Sequence, residues 1–186
     1  MATRKSKSAL GKTRTAKRQS TTDAIALLKA DHRQVERWFA EFEKARAAAR
    51  KLDLAQSICK ALRVHTTIEE EIFYPAFLAA TQDKDIHHEA EVEHNGAKQL
   101  IAQIEASGPD DDYYDAKVTV LSEMIKHHVK EEEQPGGMFA EARKAKMDLA
   151  GLGEQLQARK SELMNGAGTP RSRRGARAEL ESPQHA

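Results

Sequence analysis

The fold is decided by one stretch of the chain, His65-Thr66-Thr67-Ile68-Glu69-Glu70-Glu71-Ile72-Phe73-Tyr74-Pro75. In a helix, His65 and Glu69 lie one turn apart on the same face. The same spacing recurs further on, within Lys126-His127-His128-Val129-Lys130-Glu131-Glu132-Glu133. Two more histidines, His32 and His94, occur in other segments with helical periodicity. Four helical segments therefore each offer a histidine, and two of them add a glutamate.

Apolar residues recur at spacings of three and four along most of the chain, which predicts four long helices. The first follows an N-cap in Thr21-Thr22-Asp23 and runs to about residue 50. The second runs from about residue 53 towards Pro75, where a kink or an end is expected. The third spans about residues 84–106, and the fourth runs from Tyr114 to Pro135-Gly136-Gly137. Short connections favour an all-α, antiparallel up-down four-helix bundle, with one or two short helices packed across it from residues 138–164.

In each predicted helix, the histidine takes a position in the apolar stripe. The helical rise, counted from turns near residues 51 and 81, places His32, Glu69 and His94 at one level along the bundle axis. His128 lies within about a turn of that level. The pattern therefore predicts one polar layer that contains His32, His65, Glu69, His94, His128 and Glu132.

Charge is distributed unevenly along the chain. Residues 1–20 contain seven Lys/Arg and no acidic residue, and residues 169–186 contain four Arg and two Glu. The rest has 19 basic and 27 acidic residues, a net charge of −8. We expect one domain at residues 21–164, between a disordered basic tail at residues 1–20 and a disordered tail at residues 165–186. The basic tails predict weak contact with nucleic acid, although a solubilising role is the simpler interpretation.

Other features limit the class of protein. The single cysteine, Cys59, excludes an internal disulfide framework and a thiolate metal site. No apolar run approaches the length of a membrane span, and the basic N-terminus lacks the apolar core of a secretory signal. We therefore expect a cytoplasmic protein without a membrane span. The sequence does not fix the oligomeric state.

The predicted polar layer points to a metal site. One buried histidine–glutamate pair could be an ordinary polar pair, but burying two carboxylates together without a cation is strongly unfavourable. Oxygen and imidazole ligands suit iron or manganese, and imidazole also admits zinc. If Glu69 and Glu132 each bridge two metals, each metal receives two histidines and two carboxylate oxygens, plus a bridging oxo or hydroxo group. An open position then remains on each metal for a small ligand such as dioxygen, peroxide or nitric oxide.

Several other polar residues are assigned to weaker roles. His127 lies about 100° round the helix from the inward stripe, which predicts an exposed or rim position. His87 lies on the inward stripe but two turns from the layer, too far to share the centre. Glu36 and Glu91 are candidate hydrogen-bond partners for the histidines, or solvated charges. Surface positions are predicted for Glu70, Glu71, Glu131 and Glu133.

The chain resembles the hemerythrin-like, HHE cation-binding domain family over roughly residues 23–140. The most specific part of the resemblance is His65-x-x-x-Glu69 followed by Phe73-Tyr74-Pro75. The resemblance implies a four-helix bundle that holds two non-haem iron ions. The implied iron ligands are His32, His65, Glu69, His94, His128 and Glu132.

The chain differs from parts of the family in two ways. Oxygen-carrying hemerythrins have a further histidine at the position of Ala90, so the ligand set is more similar to that of bacterial di-iron proteins that repair iron centres. The family's usual Phe-Pro after Glu132 is replaced by Pro135-Gly136-Gly137-Met138-Phe139. From the sequence we also expect no cysteine-bearing N-terminal domain of the kind common in repair proteins.

Three functions are compatible with this sequence. The preferred one is a di-iron protein that binds or reacts with small oxidants, or senses them, in a stress response. The alternatives are an iron storage or delivery protein, and a DNA-associated protein that acts through its tails. No catalytic residue stands out, which favours a binding protein over a conventional enzyme.

Overall fold

A computed structural model describes residues 23–166, so residues 1–20 and most of residues 165–186 lie outside the described part of the chain. The elements, in order, are α1 (Ala24–Lys44), α2 (Ala48–Ile68), a π-helical segment (Glu69–Phe73), α3 (Tyr74–Thr81), α4 (Lys84–Glu105), α5 (Tyr114–Glu133), α6 (Met138–Lys144) and α7 (Leu149–Gly166). The described residues form helices and turns and contain no strand. The predicted all-α class is therefore confirmed for this part of the chain.

The four long helices α1, α2, α4 and α5 pack around common apolar contacts. Helix α1 packs against α2 and α5, and α4 packs against α2 and α5. Each of the four helices therefore contacts two of the others. Two clusters of buried apolar residues fill the interior. The first contains Phe39, Ile58, Ile101 and Leu121, and the second contains Leu28, Phe73, Phe77 and Leu156. The predicted polar residues belong to neither cluster and lie among these apolar side chains.

The first two helices meet at a different place from the one predicted. Helix α1 ends at Lys44 and α2 begins at Ala48, whereas the periodicity carried the first helix to about residue 50. Ala45 and Ala47 adopt extended backbone conformations. The sequence Ala45-Arg46-Ala47-Ala48-Ala49-Arg50 consists of strong helix formers, so no local residue marks this turn.

A π-helical segment interrupts the second predicted helix just before Pro75. Proline has no N–H to donate to the carbonyl four residues earlier, and a wider π turn accommodates that missing bond. The extra residue shifts the inward face by one position. A regular helical period continued from His65 and Glu69 predicts that Ile72 and Ala76 face inward, but Phe73 and Phe77 are the buried residues. Tyr74 is also buried as a consequence.

The C-terminal part of the described chain forms α6 and α7. Helix α7 has 18 residues and packs against α1, α2 and the π-helical segment, so it is longer than the short helices predicted. Its buried residues include Leu152 and Leu156. Among the described residues, no helix combines the length and apolar character needed to cross a membrane.

Candidate metal centre

The structure brings the six predicted residues into one buried layer. His32 on α1 faces His65 on α2, with their Nε2 atoms 3.0 Å apart. His94 on α4 faces His128 on α5, with their Nε2 atoms 3.2 Å apart. No residue in the set, which also includes Glu69 and Glu132, exposes more than 4% of its surface. We refer to these six as the inner residues.

Glu69 and Glu132 lie between the two histidine pairs. Oε2 of Glu69 is 3.2 Å from Nε2 of His65 and 3.4 Å from Nε2 of His94. Glu132 directs Oε2 towards Nε2 of His32 at 3.4 Å and Oε1 towards Nε2 of His128 at 3.7 Å. The donor atoms thus form two groups that share Glu69. One group is His32, His65, Glu69 and Glu132, and the other is Glu69, His94 and His128.

These donor atoms fit metal ions by two criteria. Two donors that are each about 2.1 Å from one ion lie about 3.0 Å apart at a right angle and about 3.4 Å apart at a tetrahedral angle. Most of the separations between the inner donors fall between 3.0 and 3.4 Å. In addition, both oxygens of Glu69 and Oε2 of Glu132 are buried without a hydrogen-bond partner. Such oxygens are costly to bury, and a cation would satisfy them.

Each histidine of the layer faces a second carboxylate at its other ring nitrogen. The distances from Nδ1 to the carboxylate are 2.8 Å for His32–Glu133, 3.6 Å for His65–Asp31, 3.0 Å for His94–Glu70 and 2.7 Å for His128–Glu93. Three of these are hydrogen bonds, and the His65 contact is too long for one. An Nδ1–H that donates to a carboxylate leaves the Nε2 lone pair free to bind a metal. We call Asp31, Glu70, Glu93 and Glu133 the outer carboxylates.

The outer carboxylates link the helices in a closed ring. Each lies on or just after one long helix and contacts the histidine of the next long helix of the bundle. Asp31 reaches from α1 to α2, Glu70 from the π-helical segment to α4, Glu93 from α4 to α5, and Glu133 from α5 back to α1. Three of the four histidines are therefore oriented by a hydrogen bond to a neighbouring element, and His65 faces Asp31 at a longer distance.

Basic side chains hold the outer carboxylates in turn. Lys160 on α7 pairs with Asp31, and Lys98 lies 2.5 Å from Glu70. Glu133 pairs with Arg33 at 2.5 Å and with Lys29 at 3.1 Å. Glu93 lies near a histidine instead, with its Oε1 at 3.3 Å from Nε2 of the exposed His127. The hydrogen bond from His32, together with the bond from Lys29, lowers the pKa of Glu133 to about 2 even though burial opposes the change.

Burial and charge act differently on the pKa values of the inner residues. Burial raises the pKa of Glu132 to about 7, and the charge of Glu69 adds to this rise. Burial also favours a higher pKa for Glu69, but the positive charge of His65 and the contact with His94 outweigh it and lower the pKa. For His94, burial favours a lower pKa, but the close carboxylate of Glu69 and the hydrogen bond to Glu70 outweigh it and raise the pKa to about 9. Ionising both glutamates at once is therefore unfavourable, and a bound cation would offset the repulsion between their charges.

Two aromatic side chains lie against the layer. The Tyr74 hydroxyl donates to Oε1 of Glu132 at 3.2 Å and lies 3.1 Å from Nε2 of His94. The Tyr74 ring stacks on His94 with centroids 5.2 Å apart, and Phe139 stacks on His32 at 5.9 Å. Tyr74 was quoted in the motif but not predicted as a site residue. The π-helical segment, which the apolar periodicity does not reveal, turns it inward.

The prediction that Glu70 and Glu133 are surface charges is wrong, because both are outer carboxylates. The suggested partners of the histidines, Glu36 and Glu91, instead pair with Arg33 at 2.6 Å and with His87 at 3.7 Å. A signal for the outer carboxylates was present in the sequence. Each is the chain neighbour of an inner residue, as in Asp31-His32, Glu69-Glu70, Glu93-His94 and Glu132-Glu133. A step of one residue turns a side chain by about 100°, from the common axis towards the adjacent helix.

The two other histidines considered from the sequence lie outside the layer. His127 is exposed, as predicted. His87 contacts the ring of Tyr74, with centroids 5.9 Å apart, and belongs to neither donor group.

Long helices that direct histidines and glutamates into one buried layer define a class of protein, the helical carboxylate–histidine metal-binding proteins. The family model of the hemerythrin HHE cation binding domain matches residues 23–135. This match covers more than half of the chain, so the chain belongs to the hemerythrin HHE cation-binding domain family.

Two individual proteins illustrate the relationship. The crystal structure of a hemerythrin HHE cation binding domain-containing protein from Mycobacterium kansasii aligns with a TM-score of 0.66 at 23% identity, covering 78% of this chain and 89% of that one. At this identity the similarity shows the fold alone, which is hemerythrin-like. A DNA nickase from Nostoc sp. is 27% identical over 107 residues, which are 58% of this chain and 30% of that protein. The chain thus spans less than a third of the length of this curated relative.

Proposed function

We propose that this protein is a non-haem di-iron protein, built as an up-down four-helix bundle, that binds or reacts with small oxidants in a response to oxidative or nitrosative stress. The oxidants in question are dioxygen, peroxide and nitric oxide. One observation carries the proposal: two groups of buried donor atoms share Glu69 and are separated by distances that suit coordination. The proposed ligands are His32, His65, Glu69, His94, His128 and Glu132.

The donor types favour iron. Four imidazole nitrogens and two carboxylates suit iron or manganese, and they suit zinc less well when carboxylates are shared between two ions. A thiolate does not compete, because Cys59 is buried in the first apolar cluster and burial raises its pKa to about 12. Two iron ions would supply redox equivalents and open coordination positions when bound.

The surroundings of the layer suit a small, uncharged ligand. A cavity of about 10 Å³ borders all four histidines and is otherwise lined mostly by apolar side chains, among them Val35, Leu62, Ile125 and Val129. This volume is close to the space of a single water molecule. The outer carboxylates hold the imidazole rings in place, and the Tyr74 hydroxyl keeps a proton beside Oε1 of Glu132.

Metal analysis combined with absorption spectroscopy tests this proposal. We expect two irons per chain and near-ultraviolet absorption typical of oxo-bridged iron after exposure to air. Changes in this spectrum on adding peroxide or nitric oxide would support reaction with small oxidants. Ready loss of iron to an apo-protein acceptor, without such changes, would favour iron storage or delivery. A single zinc ion, or no metal, would contradict the proposal.

The Nostoc relative named DNA nickase motivates a second candidate, association with DNA. The basic residues 1–20 would supply the contacts through their charge. Binding to duplex DNA that weakens steeply with salt, and is lost when residues 1–20 are deleted, would support this function. Equal binding by the full-length and truncated proteins would contradict it.

A further inference from the structure

The burial of the inner residues raises the question of how a metal ion reaches them. Since none of the six exposes more than 4% of its surface, entry requires an opening that leads to the layer. The cavity of about 10 Å³ among the histidines is too small for a hydrated cation. A larger cavity, of about 70 Å³, lies where α4, α5 and the loop before α6 meet. We call it the α4–α5 cavity.

The α4–α5 cavity reaches from exposed residues to inner residues. Its deep end is bordered by His128 and Glu132, and its outer part by the exposed Glu89 and Gly136. Between them, Ala90 is a small side chain on the cavity wall. Three carboxylates that are not inner residues also line the cavity, namely Glu89, Glu93 and Glu131. The walls are therefore acidic from the entrance to the layer.

A residue at the deep end carries an unsatisfied oxygen. Glu132 lines the cavity and is 2% exposed, and its Oε2 has no hydrogen-bond partner. This oxygen faces Nε2 of His32 at 3.4 Å and retains lone pairs for a cation that passes the deep end of the cavity. Acidic walls that lead to an unsatisfied carboxylate oxygen favour a positively charged ligand, because charge of one sign in a low-dielectric cleft concentrates the opposite sign.

The loop Pro135-Gly136-Gly137 forms the rim of the cavity, at the point where the chain departs from the family's Phe-Pro. Gly136 has a φ of +82°, which favours glycine. A Cβ on Gly137 would lie 2.1 Å from the carbonyl oxygen of Glu131. The loop can therefore pass this close to the end of α5 only because glycine occupies position 137.

We propose that the α4–α5 cavity is the entry passage of the metal centre, in which Glu89 and Glu131 capture a hydrated divalent cation and deliver it to Glu132 and His128. This inference rests on the proposed function, because the cation is the metal of the centre itself. Glu131 accepts a hydrogen bond from Gln134 at 2.6 Å, which fixes its carboxylate at the cavity wall.

Metal uptake by the full-length, metal-free protein tests this passage. The probe is Co²⁺, followed by stopped-flow absorption at low ionic strength. The double variant Glu89→Gln/Glu131→Gln removes two charges from the passage and leaves every inner residue and outer carboxylate in place. We expect its uptake rate to fall about tenfold, with final cobalt occupancy unchanged and with a smaller deficit at high salt. The matched control Glu43→Gln/Glu123→Gln removes two charges from exposed positions outside the cavity and should keep the wild-type rate.

A second variant tests the passage by its size. Ala90→Leu fills the cavity without changing charge, so uptake should be slowed at every salt concentration. Release of cobalt to a chelator should be slowed to a similar degree, because both directions use one passage. Circular dichroism establishes that this variant is folded.

The outcomes separate this inference from the proposed function. Equal uptake rates for Glu89→Gln/Glu131→Gln and its control, with full final occupancy, would overturn the passage and leave the metal centre standing. A wild-type protein that takes up no cobalt at equilibrium would overturn both.

Discussion

The raised pKa of Glu132 predicts that the metal-free protein loses stability as the pH rises. The folded-state pKa is about 7 against an ordinary value of 4.5, because burial and the charge of Glu69 disfavour ionisation. A group with a raised folded-state pKa contributes stability that is fully present below 4.5 and is lost as the pH passes 7. A difference of about 2.5 pKa units corresponds to about 3 kcal/mol. Replacing Glu132 with Gln keeps the shape of the side chain and removes the ionisation.

Urea unfolding of the chelator-treated protein at pH 5 and pH 8 measures this effect. Wild type should lose about 2.5 kcal/mol more unfolding free energy between these pH values than Glu132→Gln does, slightly less than the full amount because the unfolded carboxyl is already mostly ionised at pH 5. Reloading wild type with metal should abolish or reverse the loss, since the ligands then bind a cation in place of a proton. If the metal-free wild type and Glu132→Gln show the same pH dependence, the assignment of the buried proton to this glutamate is wrong.

Three further predictions concern the layer and its support. Glu69→Ala removes the residue common to both donor groups, so metal content should fall well below two ions per chain. The control His127→Ala changes an exposed residue and should retain wild-type content. Equal metal content in both variants would contradict the ligand set. Glu70→Gln weakens the carboxylate that orients His94, so metal affinity measured by chelator competition should fall about 10- to 100-fold; Glu71→Gln, which alters a pair with Arg159 at the surface, is the control and should change it little. Leu156→Ala removes a fully buried side chain of α7 and leaves a cavity, so the free energy of unfolding measured with urea should fall by about 2–5 kcal/mol. A fall of less than about 1 kcal/mol would mean that the packing of α7 contributes little to stability.

Much of the helical framework could be predicted because burial follows the helical period. The stripes of α1, α4 and α5 are buried nearly as expected, including Phe39, Ile101 and Leu121. Asp23 caps α1 as predicted, since its carboxylate accepts a hydrogen bond from the Ala26 N–H at 2.8 Å. The same periodicity explains why the inner residues meet, because each histidine replaces an apolar residue on a stripe that faces the common interior.

The features that were missed depend on more than one helix or on the backbone. The break after Lys44 lies among helix-forming residues, so local helix propensity does not predict it. The one-residue shift at the π-helical segment moves Phe73 and Tyr74 inward against the regular period. The outer carboxylates are turned by about 100° from the side chains that face the common axis. The periodicity of one helix therefore does not predict whether Glu70 contacts water or the imidazole of His94. That outcome is set by the rotation of the neighbouring helix.

The closed ring of outer carboxylates has a consequence for the order of assembly during synthesis. Three of its contacts join residues that are 24 to 35 positions apart, but the contact of Glu133 with His32 joins residues 101 positions apart. Bringing those two ends together costs about 1 kcal/mol more loop-closure entropy than the other links do. A chain growing from its N-terminus can form the α1–α2 hairpin early, but it closes the ring only after residue 133 has been made. Any metal held by all six inner residues would therefore be retained only by a chain that has been made beyond residue 133.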